Sequence, residues 1–161
     1  MGADAKSINT SEWQLTHTML SELNKAVARR YFEAYGTGDT DAVMGFIDPH
    51  YVLHPGGGGE PMNSYERKRD ELVFFKAFSD IQAIVEDQIA EGDKVVSRIT
   101  MHCTHTGEYQ GIPAIGKRIT IPYIDITLIK AGKIVEEWVE YDTMNILQQI
   151  RVHSADEASK R

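Results

Sequence analysis

The spacing of apolar residues divides the chain into a helical first part and a strand-rich second part. Leu20, Leu23, Val27, Tyr31 and Tyr35 recur at intervals of three and four, which predicts one helix over residues 11–35 with a single apolar stripe. Gly36 and Gly38 end it, because glycine readily takes the left-handed conformation favoured at a helix stop. Asp39 stands where it can cap a short helix over residues 40–46. Beyond Pro49, the run Tyr51-Val52-Leu53-His54 reads as a strand, and Pro55 with Gly56 to Gly59 as a loop. A third helix is predicted over residues 64–78. Its first residue, Ser64, has Arg67 three positions on, so the acidic partner of a capping box is missing there. Strands follow over residues 81–90, 94–104, 119–129 and 134–141, with a turn at Glu91-Gly92-Asp93, a glycine-rich loop over 105–116 and a tight hairpin at Lys130-Ala131-Gly132-Lys133. A short helix over 143–151 closes the pattern. Helices first and an antiparallel meander afterwards make the class α+β.

The last hairpin sorts chemistry onto faces. With Ala131 and Gly132 as the two turn residues, Lys130 pairs with Lys133. Regular pairing from there sets Asp125 opposite Trp138, Tyr123 opposite Glu140 and Ile121 opposite Asp142. One face then carries Ile121, Tyr123, Asp125, Thr127, Trp138, Glu140 and Asp142. The other carries Ile124, Ile126, Leu128, Val135, Glu137, Val139 and Tyr141. If the first face lines a cavity, a carboxylate held beside Trp138 away from water gains a raised pKa and suits acid–base work. If it faces solvent, its acids only aid solubility and the second face is the core. A slip of one residue exchanges the two assignments.

Composition narrows the function classes. The chain has 161 residues, enough for one domain, and its apolar (42%) and charged (25%) fractions are those of a globular protein. Its net charge of -7 excludes the basic surface that nucleic acid or an anionic membrane requires. The single cysteine, Cys103, cannot form an internal disulfide, the first ten residues are polar, and no window approaches the roughly 20 apolar residues of a membrane span, so a cytoplasmic protein is expected. His102 and His105 sit three apart in a strand and point to opposite faces, which argues against a metal site with Cys103. No Gly-Lys-Ser/Thr follows the glycines at 56–59, so they are not a phosphate loop. The mixed charges from Glu66 to Glu71 read as a solvated helix face, and Cys103 as a small buried residue.

Several stretches together resemble one family. Tyr31-Phe32-Glu33-Ala34-Tyr35 followed by Gly38-Asp39, then Val52-Leu53-His54-Pro55, then the loop from Thr104 to Pro113 with Gly116-Lys117-Arg118, and finally Gly132 to Trp138 with Asp142 follow in order the pattern of the SnoaL-like polyketide cyclases, within the nuclear-transport-factor-two-like superfamily. The resemblance covers residues 26–150. Leu128 departs from it, standing where many relatives carry an arginine, and the first 25 residues have no counterpart.

The resemblance implies a cone: a curved antiparallel sheet packed on N-terminal helices around an internal pocket. It gives an extension over residues 1–15, one domain over 16–152 and a polar tail over 153–161. It implies homodimers or higher homo-oligomers packed through the sheet, and the apolar residues Ile124, Ile126, Leu128, Val135 and Val139 fit such a surface. It also implies an intramolecular aldol-type closure, isomerisation or dehydration of a small hydrophobic carbonyl compound, without metal or cofactor. An aspartate serves there as acid and base, and that position matches Asp142. A second polar position matches Asp125. His54, Tyr123 and His105 are candidate donors to a developing oxyanion, with His54 the third catalytic candidate. Trp138, Tyr123, His105, Tyr31 and Phe74 form the candidate ligand-binding set. His54, His105 and Asp125 also have purely structural readings, as loop or backbone partners. A function of a different class stays open: a small-molecule binder or assembly module on the same fold. An epoxide hydrolase would need paired acids with an arginine between them, and Arg98 is the internal strand arginine available.

Overall fold

The computed structural model describes residues 9–158. Residues 1–8 and 159–161, parts of the two predicted polar ends, lie outside the described residues. Helix α1 (Thr10–Ala34) starts at Asn9, whose side chain accepts from the Ser11 N–H. A single turn of tighter helix ends at Gly38 with a φ of 65°, and Asp39 then caps α2 (Thr40–Met44) by accepting from the Asp41 N–H, as the sequence predicts. Strand β1 (Ile47–Pro55) and the two-residue β2 (Met62–Asn63) lead into α3 (Ser64–Ala77). The α3 cap lies one residue earlier than Ser64. Asn63 accepts from Tyr65 and Glu66 N–H groups while the Glu66 carboxylate takes the Asn63 N–H, a complete capping box. The meander follows as β3 (Phe78–Glu91), β4 (Lys94–His105), β5 (Arg118–Lys130) and β6 (Lys133–Tyr141), and α4 (Thr143–Ala158) runs well past the predicted end at 151.

The six strands form one sheet in the order β2-β1-β6-β5-β4-β3. The class is α+β, with helices packed on an open, curved sheet. One pairing departs from the expected antiparallel pattern: β1 runs parallel to β6. The whole meander separates these strands in sequence, so the chain has ample length for a parallel return. Bulges interrupt β1, β3 and β6, and each adds local bend.

Only part of the α1 stripe is buried. Tyr31 and Tyr35 reach the core, but Leu20 and Leu23 are 40% and 62% exposed, contrary to the predicted single stripe. The reason is length. Asn24 lies at the β3–β4 turn, with its amide reaching the Gly92 carbonyl (3.5 Å), and the helix before it overshoots the sheet. The core is built from Tyr31, Phe32, Tyr51, Phe78, Ile99, Ile129, Ile134 and their neighbours between the inner sheet face and α1, α3 and α4.

The last hairpin turns on Ala131 and Gly132, both at positive φ, with Lys130 opposite Lys133 as predicted. The pairing beyond it differs from the regular register. Ile129 pairs with Ile134, but Leu128 pairs with Glu136, so Val135 is an extra, unpaired residue. From there Asp125 faces Val139, Ile126 faces Trp138, and Tyr123 faces Tyr141. The bulge therefore moves every β6 side chain beyond it to the opposite face from that predicted. Glu137, Val139 and Tyr141 join Asp125 on the inner side. Trp138 and Glu140 go outside.

Candidate functional site

The inner sheet face and the helices enclose a cavity of about 350 Å³. Its walls are mostly apolar, from Phe32, Leu53, Met62, Phe74, Met101, Ile121, Val139 and Ile146. Tyr35, Arg67, Glu71, Tyr123, Asp125 and Glu137 supply polar groups. Pro55, Val73 and Tyr141 also line it, the last two with 53% and 42% of their surface exposed, so they stand at its mouth. Backbones approach closely around it. A Cβ at Gly56 would sit 2.8 Å from the Val139 carbonyl oxygen, and one at Gly107 would sit 2.1 Å from that of Lys76. The 105–116 loop is pinned by this contact: Thr106 and Gly107 both donate to the Ala77 carbonyl at the end of α3.

The polar groups form one branched network around a partly buried cation, Arg67. Arg67 Nη2 donates to Glu71 (2.6 Å), to the Tyr31 hydroxyl (3.3 Å) and to the Tyr35 hydroxyl. The Tyr35 hydroxyl donates to Glu71 (2.7 Å), and Tyr31 donates to Glu137 (3.2 Å), which also accepts from Tyr51. Burial, reinforced by the carboxylates, pushes the phenols of Tyr31, Tyr35 and Tyr51 above their ordinary range, so they act as donors. Burial likewise raises Glu71, against the opposing pull of Arg67 and the Tyr35 hydrogen bond.

Asp125 adjoins this network at Glu137. It is 1% exposed, it lines the cavity, and no N–H or O–H group of another residue donates to its oxygens; its one polar neighbour is the Glu137 carboxyl, with which it shares a hydrogen bond when one of the two holds a proton. Burial, and then the Glu137 carboxylate beside it, hold its pKa well above the ordinary aspartate range, while Arg67 pulls the other way. A carboxyl group in that state retains a proton at pH values where a solvated aspartate has lost it. Asp125 also pushes the neighbouring Tyr123 phenol up, after burial itself.

The structure separates the residues singled out in the sequence. Asp125, Tyr123 and Phe74 line the cavity. Tyr31 is fully buried behind the lining, where it links Arg67 to Glu137. His105 faces inward but lies beyond the cavity wall against Phe78 (5.3 Å between ring centroids), and burial lowers its pKa. His54, Trp138 and Asp142 lie elsewhere. His54 and Trp138 stack on the outer face (5.1 Å, 9° between planes), with His54 Nε2 at 2.8 Å from Glu136 and Lys94 over the indole. Asp142 is exposed, and its carboxylate accepts from the Asn145 N–H at the start of α4. The bulge at Val135 accounts for Trp138, and the end of β6 at Tyr141 accounts for Asp142. Arg98, the arginine considered between paired acids, is on the exposed outer face opposite Ile124.

The sequence reading missed Arg67, Glu71, Tyr35 and Glu137. Their signals were present. Arg67, Glu71 and Phe74 fall at i, i+4 and i+7 on one side of α3, while Lys68 and Arg69 point to solvent. Glu137 was a carboxylate in the middle of a face otherwise read as core, and such a residue is informative because it needs partners. Cys103 is buried as expected, and burial pushes its thiol up to about 12. Among the described residues no cluster of three or more His, Cys, Asp or Glu side chains is arranged to hold a metal ion, and no helix is long and apolar enough to cross a membrane.

Comparison with known proteins places this site in context. The family model for SnoaL-like polyketide cyclases matches residues 25–150. The chain is 32% identical over 121 residues to aklanonic acid methyl ester cyclase DnrD of Streptomyces peucetius, covering 71% of this chain and 83% of DnrD. It is 30% identical over 125 residues to aklanonic acid methyl ester cyclase AcmA of Streptomyces galilaeus, covering 72% and 83%. Among solved structures, AclR from Streptomyces galilaeus is similar with a TM-score of 0.75 at 25% identity, covering 81% of this chain and 96% of AclR. TsrD from Streptomyces laurentii is similar with a TM-score of 0.69 at 25% identity, covering 81% and 96%. The family match spans the α1 core turn, the whole sheet and the first turns of α4, which are the elements that build the cavity, and the chain belongs to the SnoaL-like polyketide cyclase family.

Proposed function

We propose that this chain closes a ring within a small, largely apolar carbonyl compound, with Asp125 as the group that takes and returns the proton. The observation that carries the reading is a fully buried carboxyl group to which no N–H or O–H group donates and whose polar neighbour is a second carboxyl, Glu137, in an otherwise mostly apolar cavity. In its ionised form Asp125 removes a proton from a carbon flanked by carbonyls. The C–H bond breaks, the Asp125 O–H bond forms, and the electron pair becomes an enolate. The enolate carbon attacks a second carbonyl of the same molecule, forming the C–C bond and leaving an alkoxide. Asp125 returns its proton to that alkoxide, so the cycle balances without an external reagent. A raised pKa makes the ionised form a stronger base and the acid a ready donor near neutral pH. The relatives named as aklanonic acid methyl ester cyclases support ring closure as the reaction class.

This reading gives Asp125 the role that the resemblance attached to Asp142, because Asp142 is exposed and is not among the residues that line the cavity. The test is solvent deuterium uptake at the acidic carbon of a 1,3-dicarbonyl compound. Asp125→Asn should lose at least about 10²-fold in rate and Asp142→Asn should keep the rate of the parent. The reverse pattern would overturn the assignment, and no uptake by the parent protein would favour a non-catalytic binder. On the same reading, a second copy of the chain would pack on the outer sheet face; Val139, expected on that surface, lines the cavity instead, and Ile89, Val96, Ile126 and Trp138 form a continuous row there across four strands. Ile126→Lys should then give monomers on sizing chromatography; an unchanged oligomer would exclude that face.

A further inference from the structure

Among the described residues, the buried side-chain atoms that lack a well-formed hydrogen bond are Asp125 Oδ1 and Oδ2, which meet only the Glu137 carboxyl, Arg67 Nε, and the two ring nitrogens of His105, which has the Gly107 backbone beside it. Two of these three side chains line the cavity, and they are chemically opposite: one is an acid, the other the cation of the network. The orphaned Nε–H is unusual because Nη2 of the same guanidinium meets Glu71, Tyr31 and Tyr35. Those three contacts hold the guanidinium in place, and Nε–H is the N–H that is left both buried and without an acceptor. A buried donor left open in this way costs stability unless something completes it.

We propose that Arg67 binds the ligand through this Nε–H and takes the oxygen on which negative charge develops. The inference rests on the Asp125 reading and deepens it: one unpartnered group handles the proton, the other the oxyanion. The complementarity is one of number and kind. A 1,3-dicarbonyl offers one acidic carbon and two acceptor oxygens on a flat frame, and the cavity offers an acid, one charged donor and apolar walls. Glu71 sets how much positive charge Arg67 has left for the ligand, because it is the carboxylate bound directly to Nη2. A donor fixed before the ligand arrives needs no rearrangement as charge builds, which is where such groups contribute most to rate.

The test uses 1,3-indandione as the probe, with its enolate absorbance followed against pH in the presence of saturating protein. The parent protein should lower the apparent pKa of the bound probe by a unit or more relative to the free compound. Arg67→Met should abolish that shift and cut deuterium uptake about 10²- to 10³-fold. Glu71→Gln keeps Arg67 and frees its charge, so it should lower the pKa of the bound probe further. The opposite signs are the decisive feature, since an ion pair that serves only the fold would be harmed equally from either side. Loss of the shift in both variants, an unchanged shift in Arg67→Met, or binding of the probe as its neutral form by the parent would each overturn the proposal. If the parent ionises the probe but supports no deuterium uptake, Arg67 stands as the oxyanion partner while the role of Asp125 as the proton carrier falls.

Discussion

Glu136 and Glu137 are consecutive in the chain and live in different physical worlds. Glu136 lies on the outer face, where it pairs with His54 at 2.8 Å and both side chains keep about a third of their surface in water (33% and 34%). Glu137 is 1% exposed, receives hydrogen bonds from Tyr31 and Tyr51, and presses electrostatically on Asp125. An outer pair of this kind contributes little, because water screens it and both side chains must be ordered to make it. The inner carboxylate is tied into a network that cannot lose a member without leaving another buried polar group unmatched. The two sites differ by one position, and the one unpaired residue at Val135 decides which carboxylate goes where. Polar chemistry on this hairpin is thus a consequence of register more than of composition.

Replacing Glu137 should have the largest effect. Glu137→Ala would leave the buried Tyr31 and Tyr51 hydroxyls without their carboxylate acceptor. We expect destabilisation of roughly 3–5 kcal/mol, in the range seen when buried networks are broken, with a correspondingly large fall in Tm by circular dichroism. Glu136→Ala, one position away on the outer face, should cost no more than about 1 kcal/mol. Equal losses in the two variants would show that the side of the sheet does not set the weight of these two carboxylates.

A smaller effect should appear in the dependence of stability on pH. Asp125 titrates above its unfolded value, so the folded state holds a proton that the unfolded state has already released. Stability is therefore fully present below pH of about 4 and is lost as pH rises toward the raised folded value, at about 1.4 kcal/mol for each pH unit separating the two. Asp125→Asn removes this contribution, and urea unfolding of the variant should show a flatter profile across that window with greater stability than the parent at its upper end. A parent profile that does not fall over this range would remove the case for a retained proton.

The smallest effect belongs to Asp142. Its carboxylate caps the first turn of α4, and α4 is also held by Gln149, whose amide pairs with both the N–H and the carbonyl of Thr120 on β5. Asp142→Ala should cost about 1 kcal/mol, as for other helix caps, and leave deuterium uptake unchanged. A loss of uptake comparable to that of Asp125→Asn would return the acid–base role to the end of β6.

What could be read from the sequence followed the range of the interactions involved. The Asp39 cap, the end of α1 at Gly38 and the Ala131-Gly132 turn depend on residues within a few positions, and all stand as the sequence indicates. The register beyond the turn depends on how β5 and β6 pack against α1 and β1, and a bulge leaves no local signature in an alternating run. Asp125 and Tyr123 were assigned to the inner face because β5 itself is regular, and that assignment survives the bulge on its partner strand. Trp138 did not, because it lies on the far side of Val135. Arg67 and Glu71 read as solvated because they stand in an unbroken run of six charged residues, Glu66 to Glu71, and that run outweighs the helical spacing to Phe74 that marks the inward pair. The exposed first half of α1 shows the converse limit: an apolar stripe predicts a helix face, but not where the sheet beneath it stops.

The central claim is that Asp125 is a desolvated carboxyl group poised for proton transfer inside the cavity. It is tested most directly by carbon-13 NMR titration of the Asp125 carboxyl carbon, assigned through the Asp125→Asn variant. The account predicts a midpoint well above the ordinary aspartate value of about 3.9, lowered when Glu137 is replaced by Gln, since the adjacent carboxylate is part of what raises it. A midpoint at the ordinary value, insensitive to Glu137, would contradict it.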